Sequence, residues 1–109
     1  MASIDDLKAL GLRVGVIENV EVHESARKPM YKLTVDLGQE IGKRTIVAGI
    51  GDIYTKEQLL GKRVVCVANL EPKMIAGVES QGMLLAADDG SLISLLTPDK
   101  EMPAGSTVR

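Results

Sequence analysis

Thr55-Lys56-Glu57-Gln58-Leu59-Leu60-Gly61-Lys62-Arg63-Val64-Val65-Cys66-Val67-Ala68 puts a helix signal and a strand signal end to end. Thr55 with Gln58 three residues on is a capping box: hydroxyl and side-chain amide each take a backbone N–H that the first helical turn leaves unpaired. Gly61 can adopt the left-handed conformation that closes a helix, so the spacing predicts a helix of about two turns. The β-branched run behind it predicts a strand over 62–70, and no linker separates the two. A fold built on this junction carries the chain from a short helix straight into a sheet.

Strand patterns lie on both sides of it. Upstream, Met30 to Leu37 alternates between apolar and polar residues, Arg44 to Ile50 does the same, and Gly38-Gln39-Glu40-Ile41-Gly42 between them reads as a hairpin loop. From Leu12 to Val22 the apolar residues keep period two but slip phase around Val16 and Glu18, which predicts a long, bent strand with a bulge. Downstream, Glu71-Pro72-Lys73 reads as a turn, 82–87 as a fifth strand, and Asp88-Asp89-Gly90 as a turn into 91–96. Strand, strand, strand, short helix, strand, strand is the order of the five-stranded Greek-key barrel called the OB-fold. The expected class is therefore all-β with short helices. Ser3 as N-cap, Asp5 and Asp6 in the first turn and Gly11 as the stop predict an N-terminal helix ahead of the barrel. The tail 97–109, with two prolines and one glycine, is expected to extend past it. Residues 1–109 thus form one domain, and the segments 1–11 and 97–109, lying outside the barrel, are expected in homodimer contacts.

Chemistry is hard to assemble from the remaining residues. His23 is the only histidine and Cys66 the only cysteine, so neither a nucleophile–base pair nor a Cys- or His-based metal site suggests itself. Cys66 sits within Val64-Val65-Cys66-Val67-Ala68, where a cysteine acts as a small buried hydrophobe. Gly49-Ile50-Gly51 lacks the third glycine of a dinucleotide loop, and Gly61-Lys62-Arg63 lacks the upstream glycine and the Ser/Thr of a P-loop. The expectation is a binding protein without catalysis, cofactor or metal. No apolar run approaches the roughly 18 residues that span a bilayer, and the start lacks a signal-peptide pattern, so a cytoplasmic protein with no membrane partner is expected.

Charge and aromatic content narrow what could be bound. Residues 27–73 hold nine basic and five acidic side chains, whereas 1–26 and 74–109 each hold two basic and five acidic ones, for a net of −2. A basic middle on an acidic body suits a polyanion; it also suits solvated strand faces without a partner. With Tyr31 and Tyr54 the only aromatic residues, the chain has almost no platform for stacking single-stranded bases. Any RNA contact should then read backbone geometry, 2′-hydroxyls and at most an exposed loop base.

Leu12-Arg13-Val14-Gly15, Tyr31-Lys32-Leu33-Thr34-Val35-Asp36-Leu37-Gly38, Ile46-Val47-Ala48-Gly49-Ile50, Gly61-Lys62-Arg63-Val64-Val65, Asn69-Leu70-Glu71-Pro72-Lys73 and Gly77-Val78-Glu79-Ser80-Gln81-Gly82-Met83-Leu84-Leu85-Ala86-Ala87 resemble, in this order, the tRNA-binding OB-domain family. That family takes in the C-terminal or free-standing β-subunit of methionyl-tRNA synthetase, structure-specific tRNA-binding proteins and cytokine-like synthetase accessory domains. The resemblance implies the barrel, a homodimer, recognition of the tRNA elbow, and an aminoacyl-tRNA synthetase as a further partner. By position, Ser80 and Met83 match the family's Ser-x-x-Met signature, and Asn69 and Lys73 its Asn-Leu-x-Pro-x turn. Arg13 matches its first-strand arginine, Lys28 the lysine after that strand, and Lys32 lies in the matching Tyr-Lys-Leu segment. The roles follow from residue type: cations to phosphate, Asn and Ser to 2′-hydroxyl or base edge, Met as an apolar cushion. Met83 as a core residue and Arg13 as a barrel-closing ion pair are the alternatives. His23-Glu24-Ser25-Ala26-Arg27-Lys28-Pro29-Met30-Tyr31 is one residue longer than the family's usual segment. Ala26-Arg27-Lys28-Pro29 and Glu40-Ile41-Gly42 instead resemble a sister branch of secretion-related, chaperone-like dimers that bind unfolded polypeptide. Glu71 stands where a lysine is common, which removes one phosphate contact.

Overall fold

In the computed structural model, which describes residues 1–109 throughout, the chain forms α1 (Ile4–Ala9), β1 (Leu12–Val22), β2 (Tyr31–Asp36), α2 (Gly38–Ile41), β3 (Lys43–Ala48), α3 (Lys56–Leu59), β4 (Arg63–Val67), β5 (Lys73–Ile75), β6 (Val78–Ser80), β7 (Met83–Leu84), β8 (Ala86–Asp88) and β9 (Ile93–Leu95). One antiparallel sheet runs β3-β2-β1-β4-β7, and β5-β6 and β8-β9 are separate hairpins. β1 holds the sheet together because it serves two partners, β4 along Leu12–Val16 and β2 along Val16–Val22. The hand-over needs a bend, and the register slips between Ile17 and Asn19, where the sequence places the bulge. Gly15 lies at the crossing: a Cβ there would stand 2.5 Å from Val35 Cγ1, closer than the packed interior permits.

The sheet curls around Ile17, Leu33, Leu37, Ile46, Leu59, Val35, Val64 and Cys66, all fully buried. Leu59 enters this core from α3, whose capping box forms as read, with Thr55 Oγ1 accepting the Gln58 N–H and Gln58 Oε1 accepting the Thr55 N–H. α3 has one turn rather than two, because β1 recruits the chain that follows: Gly61 N–H donates to Ile17 O, and Ile17 N–H to Lys62 O. The 38–42 loop closes as the single turn α2, with Gly42 N–H donating to Gly38 O at 2.7 Å. β4 ends at Val67, because Ala68 and Asn69 donate their N–H groups to Gly11 O and Leu10 O at the foot of α1.

No regular strand closes the free edge of β3. Its Val47 N–H donates to Ser80 Oγ at 3.0 Å and its Thr45 N–H to Gln81 Oε1 at 3.0 Å, while Gln81 N–H returns a bond to Thr45 O. Gly82 then turns the chain into β7 at φ 153, where a Cβ would meet Val67 O at 3.0 Å. The expected strand 82–87 breaks at Leu85, whose N–H donates to Val65 O, and β8 peels away to pair with β9. The tail is a correction: instead of only extending past the barrel it takes the edge of β1 that β2 leaves open. Val14 N–H donates to Ser106 O, Gly105 N–H to Val14 O and Val108 N–H to Leu12 O. α1 contributes no buried residue, and Ile4, Leu7 and Leu10 remain exposed.

Candidate nucleic-acid interface

A transverse row of residues crosses the strands through Ser80. Strand register sets Glu21 beside Lys32, Lys32 beside Val47 and Lys73 beside Ser80, and the Val47–Ser80 hydrogen bond joins the two sheets. Lys32 Nζ lies 3.6 Å from Glu21 Oε2, so its charge is shared. Lys73 is exposed, as is Lys28 in the loop between β1 and β2. His23 ties that loop to the β5–β6 hairpin: it is 4% exposed, its Nε2 lies 2.9 Å from Ile75 O, and its N–H donates to Met30 O. His23 therefore links, through its backbone on one side and its ring on the other, the two segments that carry Lys28 and Lys73.

A second group gathers where α1, β1 and β4 meet. Arg13, Arg44 and Asn69 line one shallow groove with Gly11, Ile41 and Ala68. A neighbouring groove of about 300 Å³, sharing Arg44, Ala68 and Asn69, continues to Leu70, Pro72 and Gln81. Arg13 Nη1 donates to Gly105 O at 3.2 Å and pairs with Glu40 at 3.4 Å, so it pins the tail and belongs to the ion-pair alternative. Asn69 Nδ2 donates to Ala9 O at 2.6 Å, leaving its carbonyl oxygen unengaged. Arg44 escaped the sequence reading: its Nη1 reaches Ala68 O at 2.6 Å and Gln81 O at 3.3 Å, and it makes no ion pair. A polar–basic residue in an alternating strand carries no sequence signal that separates it from solvated neighbours.

The Ser-x-x-Met motif divides into two jobs. The Ser80 hydroxyl, 4% exposed, accepts from Val47 N–H and donates to Gly82 O at 3.2 Å, so it is spent on closing the barrel and is not offered to a 2′-hydroxyl. Met83, paired with Val67 across β4, is 52% exposed, so the core alternative does not apply to it.

The basic middle segment also narrows. Lys43 bonds Glu18 at 2.9 Å, which raises its pKa by hydrogen bonding and charge, and Arg63 pairs with Glu101 at 3.5 Å. Arg27, Lys28, Arg44, Lys56, Lys62 and Lys73 make no ion pair; Lys62 stands over the Tyr54 ring at 5.9 Å. Cys66 is buried and its thiol is pushed up to about 12 by desolvation, which leaves no thiolate for chemistry at neutral pH. Asp89 is held below the usual carboxylate range by the N–H groups of Leu92 and Ser91, as an Asx turn requires. No helix is long and apolar enough to cross a membrane.

Residues 12–107 match the family model described as "Putative tRNA binding domain". Over 105 residues the chain is 55% identical to a methionine–tRNA ligase of Pyrococcus horikoshii, covering 96% of this chain but 14% of that protein. Two solved structures superpose over the whole chain. One is a MetRS-related protein from Pyrococcus horikoshii, 98% covered, with a TM-score of 0.88 and 36% identity. The other is a CsaA chaperone protein from Picrophilus torridus, 100% covered, with a TM-score of 0.92 and 35% identity.

Proposed function

Because this chain belongs to the tRNA-binding domain family, we propose that it binds folded tRNA by shape and phosphate contacts, without catalysing a reaction itself. The observation that carries this reading is the placement of exposed, unpaired Lys28 and Lys73 on segments that His23 fastens together, with Met83 also exposed on β7. Cations of this kind position a phosphate backbone, and a barrel with two tyrosines favours tertiary shape over stacked single strands. Arg13 and Ser80 hold the frame through the tail and β3, Lys32 shares its charge with Glu21, and Asn69 is tied to α1 by one end only.

The chain spans about 14% of the length of the methionine–tRNA ligase it matches, and a role in aminoacylation would come from cooperation with such an enzyme. The protein alone should form no aminoacyl-adenylate; methionine-dependent pyrophosphate exchange without added synthetase would contradict this. We place it in the cytoplasm as a homodimer, with the exposed apolar residues of α1 meeting a second copy. The likeness to a chaperone structure gives the second reading, capture of unfolded polypeptide. Direct binding separates them: folded tRNA should be retained on the protein and an extended peptide should not. Retention of the peptide without any preference for folded tRNA would favour the chaperone reading.

A further inference from the structure

We propose that the groove between the foot of β4 and the β3 closure is a slot for one unstacked RNA base, with Arg44 as its centre. The proposal rests on the tRNA-binding reading and adds to it a site for a base. Arg44 is held by one nitrogen: Nη1 donates to Ala68 O and Gln81 O, which belong to two different segments of the closed barrel. It makes no ion pair, and Nε and Nη2 are left without protein partners.

Its two polar neighbours are held in the same way, each by one end. Gln81 accepts the Thr45 N–H with Oε1 and keeps its amide N–H groups free; Asn69 donates Nδ2 to Ala9 O and keeps Oδ1 free. The groove therefore offers guanidinium donors, an amide donor and a carbonyl acceptor, all oriented before a ligand arrives. Ala68, Leu70 and Pro72 complete the lining with apolar surface, and the volume of about 300 Å³ lies at the lower end of ligand-sized pockets.

This mixture fits a base better than a phosphate. A phosphate uses donors only, and the free Asn69 oxygen would face its charge; a base edge alternates donors and acceptors. Apolar walls and a guanidinium plane are surfaces on which an unstacked base lies. The slot also joins the two groups of candidate residues, since Pro72 precedes Lys73 and Gln81 follows Ser80.

The first arm of the test uses the full wild-type chain. Side-chain NMR signals of Arg44, Asn69 and Gln81 are followed during titration with uncharged nucleosides, and separately with inorganic phosphate. Saturable shifts of all three with at least one nucleoside, and none with phosphate, are expected. Shifts with phosphate alone, or with neither probe, overturn the proposal. In a second arm, Arg44→Lys keeps the charge and should weaken folded-tRNA binding about tenfold with an unchanged salt slope. Unchanged affinity would also overturn it. Wild-type protein that takes a nucleoside but no tRNA would refute the tRNA reading and leave the slot standing.

Discussion

Ser80 and Gln81 accept with their side chains the two β3 N–H groups that a strand would otherwise take. Ser80→Ala leaves the Val47 N–H buried and unpaired, a loss of roughly 1–3 kcal/mol in urea unfolding. Any weaker tRNA binding of this variant should come without a change in salt slope, because no phosphate contact is removed. Lys73→Ala or Lys28→Ala should do the opposite, leaving stability unchanged and lowering the salt slope by about one per chain. Glu71→Lys should raise that slope by about one; an unchanged slope would mean that the RNA backbone does not pass this turn. Cys66 adds a pH signature. Its thiol ionises near 9.0 when unfolded and at about 12 when folded, so above pH 9 the unfolded chain sheds a proton that the folded one keeps. Stability is whole below that point and falls as pH rises from about 9 towards 12. Urea midpoints should drop over this range in the wild type, and less in Cys66→Ala.

At the scale of elements, the strands with clean alternation were legible and those bent by tertiary contacts were not. β2 and β3 appear within two residues of where their periodicity puts them, and the β1 bulge falls at its phase slip. The β5–β6 hairpin was missed because its turn is Ala76-Gly77, with Ala76 at φ 49, where a reader looks for Asn-Gly or Asp-Gly. Ala76→Asn should therefore stabilise the protein by about 0.5–1 kcal/mol, read as a higher urea midpoint. The tail was misread because its bonds go to β1, some ninety residues back, and prolines carry no sign of that. Arg13 and Ser80 bond within the frame, and a family signature read from sequence does not separate residues that hold the frame from residues that touch a ligand. For the proposed homodimer, exposed Leu7 and Leu10 at α1 and exposed Leu92 and Leu96 flanking β9 are the apolar surface available to a second copy. Leu7→Asp or Leu92→Asp should yield monomers by light scattering with unchanged circular dichroism; a wild-type chain already monomeric at micromolar concentration would remove the dimer.

For the whole molecule, the net charge of −2 and the exposed, unpaired Lys28 and Lys73 are reconciled by local pairing. Glutamates neutralise Arg13, Lys32, Lys43 and Arg63, which leaves Arg27, Lys28, Arg44, Lys56, Lys62 and Lys73 as the unpaired cations of the basic middle segment. A polyanion would then be held by a few contacts of fixed geometry rather than by a general field, which makes the ligand's own shape decisive. That dependence on shape is the central claim, and one titration reaches it without any variant. The dissociation constant of the wild-type protein is measured for one tRNA in its folded form and for the same molecule kept unfolded, at a single salt concentration. Charge and length are then identical. Binding to the folded form at least about tenfold tighter is the predicted result; equal affinity for the two forms would contradict it.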